Sequence, residues 1–159
     1  MAKLLPVGYF HLVFTIPQEL NTLVYQNQKL LYSILIQSAG HTLIELAKDP
    51  KFLGATTGVT SVLHTWGQNL SMHPHVHCIV PAGGLSNDGL RFVRSGKKFF
   101  IPVKVISKKF RGKFLFLLKQ AYSEGKLNFF NDATFAFQPE YPHQIIEMYE
   151  AGQCQILGT

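Results

Sequence analysis

The stretch His73-Pro74-His75-Val76-His77-Cys78-Ile79-Val80 decides how this chain is read, because it sets three imidazoles within five residues at the head of an apolar run. Side chains on a strand alternate with a period of two. A strand entered at Pro74 therefore turns His75 and His77 to one face and Val76 and Cys78 to the core. Two neutral imidazoles side by side on a sheet face form half of a metal site, suited to a divalent ion completed by oxygen ligands or water. Strands also carry histidine pairs for packing or hydrogen bonding, and periodicity by itself leaves both readings open.

Upstream, residues 54–66 are rich in Thr and Val and predict a second long strand, with Gly58 marking a bulge or a close backbone approach. Residues 67–72 are a short connection, so this strand and the histidine strand are expected to pair as an antiparallel hairpin. That pairing can bring His64 or Gln68 opposite His75 and His77. Residues 7–16 predict a first strand, apolar on both faces and hence central, on which His11 can share the surface of the histidine pair. Thr15 and Gln18 have capping-box spacing around Pro17, and a long amphipathic helix is expected from there to Lys48, stopped by Asp49-Pro50.

Downstream, residues 81–89 read as a turn-rich loop. Residues 91–94 and 99–103 predict a small ribbon, and Ser107 is placed as the cap of a helix running to about Glu124, with Gly125 as its stop. Residues 126–159 show no strong pattern. The expected fold is α/β in the α+β sense, a central antiparallel sheet with flanking helices. Its core spans residues 1–130 and is followed by an irregular tail over 131–159.

A chain of 159 residues with 47% apolar side chains can bury one core. No apolar run was expected to reach membrane-spanning length and no signal-peptide pattern stands at the N-terminus, which points to a cytoplasmic protein without membrane association. Only Cys78 and Cys154 are present, so neither a disulfide framework nor a cysteine-based zinc site is indicated. The net charge of +6 is unevenly spread. Between Gly89 and Ser123 there is no Asp or Glu, while Arg91, Arg94, Lys97, Lys98, Lys104, Lys108, Lys109, Arg111, Lys113 and Lys119 supply ten positive charges. Such a concentration suits a phosphate-binding face, although a solvated face can carry the same charge. Interleaving with Phe92, Phe99 and Phe100 suits single-stranded nucleic acid, where rings stack on bases and cations follow phosphates. Lys108, Lys109, Arg111 and Lys113 also crowd the N-terminal half of the second helix, against its dipole, a conflict that an anionic partner would relieve.

The segment Leu63-His64-Thr65-Trp66-Gly67-Gln68-Asn69-Leu70-Ser71-Met72, running into the histidine stretch and on to Leu85, resembles the HUH endonucleases, in which two His flank one hydrophobic residue. Together with Leu4-Leu5-Pro6 through Phe14-Thr15-Ile16-Pro17 and with Phe110-Arg111-Gly112-Lys113-Phe114, it is similar to the two-tyrosine rolling-circle transposases of bacterial insertion sequences. The resemblance implies DNA transposition, with Mg²⁺ or Mn²⁺ held by His75 and His77 and single-stranded DNA from insertion-sequence ends as partner. It further implies a third polar ligand on the preceding segment. Gln68 is the first choice and His64 the second; His73 is third, since Pro74 is expected to turn it off the ligand face.

Such enzymes nick by tyrosine attack, and the family's nucleophiles are commonly two tyrosines four residues apart. Tyr9, Tyr25, Tyr32, Tyr122, Tyr141 and Tyr149 include no such pair. The resemblance thus implies a chain truncated at both sides, without the family's N-terminal Cys-rich zinc region or its tyrosine motif, with no catalytic residue of its own and inactive alone. Two rivals stand beside it. One is a non-catalytic nucleic-acid-binding module. The other is a small-molecule metal hydrolase, disfavoured because no Asp or Glu lies near the histidine strand to act as a base.

Overall fold

A computed structural model of the chain describes residues 4–67, 72–96 and 101–129, and the backbone of 156–158. Among the described residues ten elements follow one another: β1 (Tyr9–Thr15), a 3₁₀ turn (Gln18–Leu20), α1 (Asn21–Gln26), α2 (Gln28–Lys48), β2 (Thr60–Trp66), β3 (Met72–Pro81), β4 (Gly83–Leu85), β5 (Phe92–Arg94), α3 (Val103–Ser123) and β6 (Ile156–Gly158). The main sheet has the order β2-β3-β1-β6 and each neighbouring pair is antiparallel. Mixed antiparallel sheet and helix make this an α+β fold, as expected. The β2–β3 hairpin forms, and β1 is an inner strand with β3 on one side and β6 on the other. Gln68, Lys97, Lys98, Phe99, Phe100, Tyr141, Tyr149 and Cys154 lie outside the described residues, as does most of the 131–159 tail.

Alternation divides the sheet into two chemically different faces. Leu12, Phe14, Val76, Cys78 and Val80 are buried and point at the helices, where Phe14 and Phe110 meet with ring centroids 4.8 Å apart. Helix α2 adds Leu31, Leu35 and Leu43 to this core, and α3 adds Ile106, Phe110 and Phe114. At 21 residues, α2 is long and apolar enough by composition to cross a bilayer, which corrects the expectation that no run reaches that length. Half of its apolar window is buried against the rest of the fold, as befits a core helix.

Three expected boundaries move, each for a local reason. The first helix is interrupted at Asn27, whose φ of −132° and ψ of 38° leave the helical region. Its buried side chain bonds the Leu23 and Asn128 carbonyls and accepts the Asn128 amide, so the break serves a contact with the chain after α3 that local periodicity cannot register. The turn into that helix starts at Pro17, with Thr15 still in β1, so Thr15 is not its N-cap and the capping box does not form. Helix α3 begins at Val103, where the Pro102 carbonyl accepts the Val105 and Ile106 amides, placing Ser107 inside the helix. Its C-terminus closes as expected at Gly125, which takes φ +65° while the Lys126 amide returns to the Ala121 carbonyl.

Of the expected ribbon between residues 91–94 and 99–103, residues 92–94 pair with β4, Val103 opens α3 and residues 99–100 lie outside the described residues, while residues 54–59 precede β2 as a connection in which Thr56 exchanges backbone hydrogen bonds with Leu85. Gly84 makes this crossing possible, since a Cβ there would sit 2.5 Å from the Thr56 carbonyl oxygen. Gly84→Ala is expected to cost about 1–3 kcal/mol by overpacking against backbone that cannot rotate away, read as a lower urea midpoint with unchanged slope.

Candidate metal centre

The face of the sheet away from the helices gathers the imidazoles. The register pairs Thr15 and His64 with His75, and Val13 and Val62 with His77, so His64 stands directly across from His75. Pro74 lies within β3, where neither ladder assigns it a partner and the β2 register shifts between His64 and Trp66. An irregularity there tolerates a residue that has no amide hydrogen to donate. Strand alternation therefore survives the proline. The His73 ring stays 5.7 Å from the His75 ring, contrary to the expectation that Pro74 turns it away.

His64, His75 and His77 form the one group of potential metal ligands found among the described residues, with one ligand atom from each within 4.8 Å of the others. Their ring centroids are 4.2 Å apart for His64 and His77, 5.3 Å for His64 and His75, and 5.0 Å for His75 and His77. Nitrogens on one ion at about 2.1 Å sit roughly 3–4 Å apart, so ligation requires these rings to close in, which exposed His64 can do by side-chain rotation.

Hydrogen bonds prepare the donor atoms. His75 Nδ1 lies 2.6 Å from the His73 carbonyl oxygen, which can only accept, so Nδ1 donates and Nε2 is the nitrogen left for a ligand in the neutral ring. His77 Nδ1 is engaged 2.7 Å from His11 Nε2, with the two rings stacked at 17°, and this leaves His77 Nε2 unencumbered. Such outer partners fix ring orientation and tautomer at metal sites. His11, expected only to share the face, is thus the positioning partner of His77. His11→Phe is expected to weaken Mn²⁺ binding about 10–100-fold without unfolding the protein, which isothermal titration alongside a thermal melt would check.

Burial, and then the positive forms of His64, His75 and His11, push the His77 pKa below its ordinary value, so the ring is neutral at pH 7 and able to ligate. The folded chain therefore takes up this proton less readily than the unfolded one. The contribution to stability is intact above the unfolded histidine value of about 6.5 and is lost as pH falls toward the lower folded value. Urea midpoints of the metal-free protein are expected to drop from pH 7.5 to 5.5, and His77→Phe should flatten that slope.

The cations of α3 occupy another surface. Arg94 borders a cleft of about 440 Å³ with Tyr9 and Ser95 near the N-terminal end of β1, and Arg91 precedes β5. Lys104, Lys108, Lys109 and Lys113 line a groove of about 730 Å³ with Leu46 and Phe116 on the helix layer, across the sheet from the imidazoles. Arg111 and Lys119 lie on α3 as well. The conflict with the α3 dipole is met partly within the chain. Glu45 of α2 binds Lys109 at 3.1 Å and also Lys113, and the Lys113 hydrogen bond leads in holding the Glu45 carboxyl below its ordinary pKa.

An antiparallel sheet thus carries helices on one face and, on the other, three imidazoles that could hold a metal ion. Residues 58–149 match the two-tyrosine transposase family model, described as "Putative transposase", and the chain belongs to that family. It is 49% identical over 131 residues to "Putative transposase y4qJ" of Sinorhizobium fredii, covering 82% of this chain and 33% of that protein. It is also 44% identical over 80 residues to the "Transposase for insertion sequence element IS801" of Pseudomonas savastanoi pv. phaseolicola, covering 50% of this chain and 18% of that protein. The chain thus spans a third or less of the length of these relatives. No solved structure matches it.

Proposed function

We propose that this chain is the metal- and DNA-binding part of a transposase that nicks and transfers single-stranded DNA at the ends of an insertion sequence in the cytoplasm. The observation that carries this reading is the imidazole group itself: His75 and His77 on one strand and His64 on its hairpin partner, two of them with Nε2 held ready by hydrogen bonds to Nδ1. This donor set fits a divalent ion. Three nitrogens favour Mn²⁺ over Mg²⁺, since Mg²⁺ prefers oxygen and dehydrates reluctantly. When bound, the ion would polarise a phosphodiester and neutralise charge that develops on its oxygens.

The chain's own residues orient that site and leave it open to a long substrate. His64 lies on the edge strand β2, and no described helix covers the imidazoles. Of the tyrosines, Tyr9 shares the face, but its hydroxyl is tied to the Leu5 backbone; Tyr25, Tyr32 and Tyr122 lie on helices of the opposite layer. Our reading therefore takes the nucleophile from sequence other than these four; Tyr141 and Tyr149 lie outside the described residues and are eight residues apart rather than four, so this chain alone is expected to bind DNA without cutting it. The cations Arg91, Arg94, Lys104, Lys108, Lys109, Arg111 and Lys113, with Lys97 and Lys98 outside the described residues, are proposed to follow phosphates.

The test is incubation with end-labelled single-stranded DNA, with and without Mn²⁺, resolved on native and denaturing gels. A native shift without a denaturation-resistant adduct, strengthened by Mn²⁺ and weakened in His75→Ala, is expected. A covalent adduct would overturn the absence of a nucleophile, and no shift would overturn DNA binding. The groove on the helix layer favours a second reading, a module that grips DNA through lysines alone. Its mark is a shift indifferent to chelator and to His75→Ala.

A further inference from the structure

The open sheet face carries one feature that the metal site does not use. Trp66, the single tryptophan of the chain, is 64% exposed at the C-terminal end of β2. Exposure alternates along Thr60–Trp66, so Trp66 is exposed in step with Val62 and His64, across the register shift that lies between His64 and Trp66, where Trp66 pairs with Met72; two residues along the strand set it about 7 Å from His64. A tryptophan is highly buried on average because its ring offers so much apolar area. This one is left in solvent beside the imidazoles.

The rest of the face says what suits it. The residues alternating onto it are Tyr9, His11, Val13 and Thr15 of β1, Thr60, Val62, His64 and Trp66 of β2, and His73, His75, His77, Ile79 and Pro81 of β3. No carboxylate is among them to repel a phosphate, and the imidazoles and threonines break up the apolar area that a protein partner's core would need. We propose that Trp66 stacks a base of single-stranded DNA next to the phosphate held at the imidazole site, so that one aromatic contact sets which phosphate reaches the histidines. Every base offers a π face, so this contact positions the strand without reading its sequence. The inference rests on the reading that this face binds single-stranded DNA.

Because Trp66 is the sole tryptophan, its emission reports on this contact directly. The experiment titrates the chain with a dT oligonucleotide in EDTA, following tryptophan emission, and separately follows the anisotropy of a labelled copy. Quenching that shares its midpoint with the anisotropy rise is expected. Trp66→Ala should weaken binding about 5- to 100-fold, Trp66→Phe should restore most of it, and Mn²⁺ affinity without DNA should be unchanged in both. Anisotropy rising without quenching, or Trp66→Ala binding like the parent, would overturn the proposal while DNA binding stood. Emission already blue-shifted and shielded from acrylamide in the free chain would also overturn it, by showing the ring covered by the chain itself. No anisotropy change at all would defeat the DNA reading on which the proposal depends.

Discussion

His77→Ala is expected to weaken Mn²⁺ binding by about 100-fold or more, since loss of an outer partner alone costs about 10–100-fold and this substitution removes a ligand nitrogen. It also strips His11 Nε2 of its hydrogen-bond partner. Isothermal titration or the electron paramagnetic resonance of free Mn²⁺ would measure the change. His73→Ala makes the comparison informative. His73 serves the site through its backbone carbonyl, which the alanine retains, so affinity should stay close to the parent's. If His73→Ala were as damaging as His77→Ala, the ligand set of His64, His75 and His77 would be wrong and His73 would belong in it.

The second large effect lies behind the sheet. Phe14 is fully buried, two residues along β1 from Leu12, and its ring meets Phe110 of α3. Phe14→Ala is expected to destabilise the fold by about 3–5 kcal/mol, from lost transfer energy and the cavity left behind. Against a total of about 5–15 kcal/mol for a domain, that is enough to populate unfolded chain. Urea denaturation followed by circular dichroism would register it as a lowered midpoint. A loss under about 1 kcal/mol would mean that α3 does not seal this face of the sheet.

Both substitutions sit on strands whose two faces differ, and that difference is legible in the sequence. In β1, Leu12 and Phe14 alternate with His11 and Val13; in β3, Val76 and Cys78 alternate with His75 and His77. A period of two sorts such residues onto opposite sides wherever one side is buried. The hairpin was legible as well, from the short connection between two strand-like runs. The interruption at Asn27 was not, because its cause is Asn128, a partner 101 residues away. The early start of α3 was missed because Ser107 offered a cap in the expected place, while Pro102 caps through its carbonyl, a group that every residue has.

The third position of the proposed metal site shows the same limit. The sequence places Gln68 and His64 equally well across a hairpin, and the resemblance to the family ranked Gln68 first. Gln68 lies outside the described residues, whereas the observed register sets His64 opposite His75. The role of His11 depends on another long-range pairing, β1 against β3, which brings it within 2.7 Å of His77.

By itself, then, the sequence determined the alternation that separates core from site, the identity of the two imidazoles on β3, the family, and the accumulation of positive charge after Gly89, since each follows from local order or composition. Only the tertiary structure decided that His64 and His11 join that pair, that His73 acts through its carbonyl, that the α3 lysines lie on the opposite layer with Glu45 between two of them, and that Trp66 stands exposed beside the imidazoles. The physical reason is that strand register and helix packing are set by contacts between residues far apart in the chain, which no local periodicity encodes.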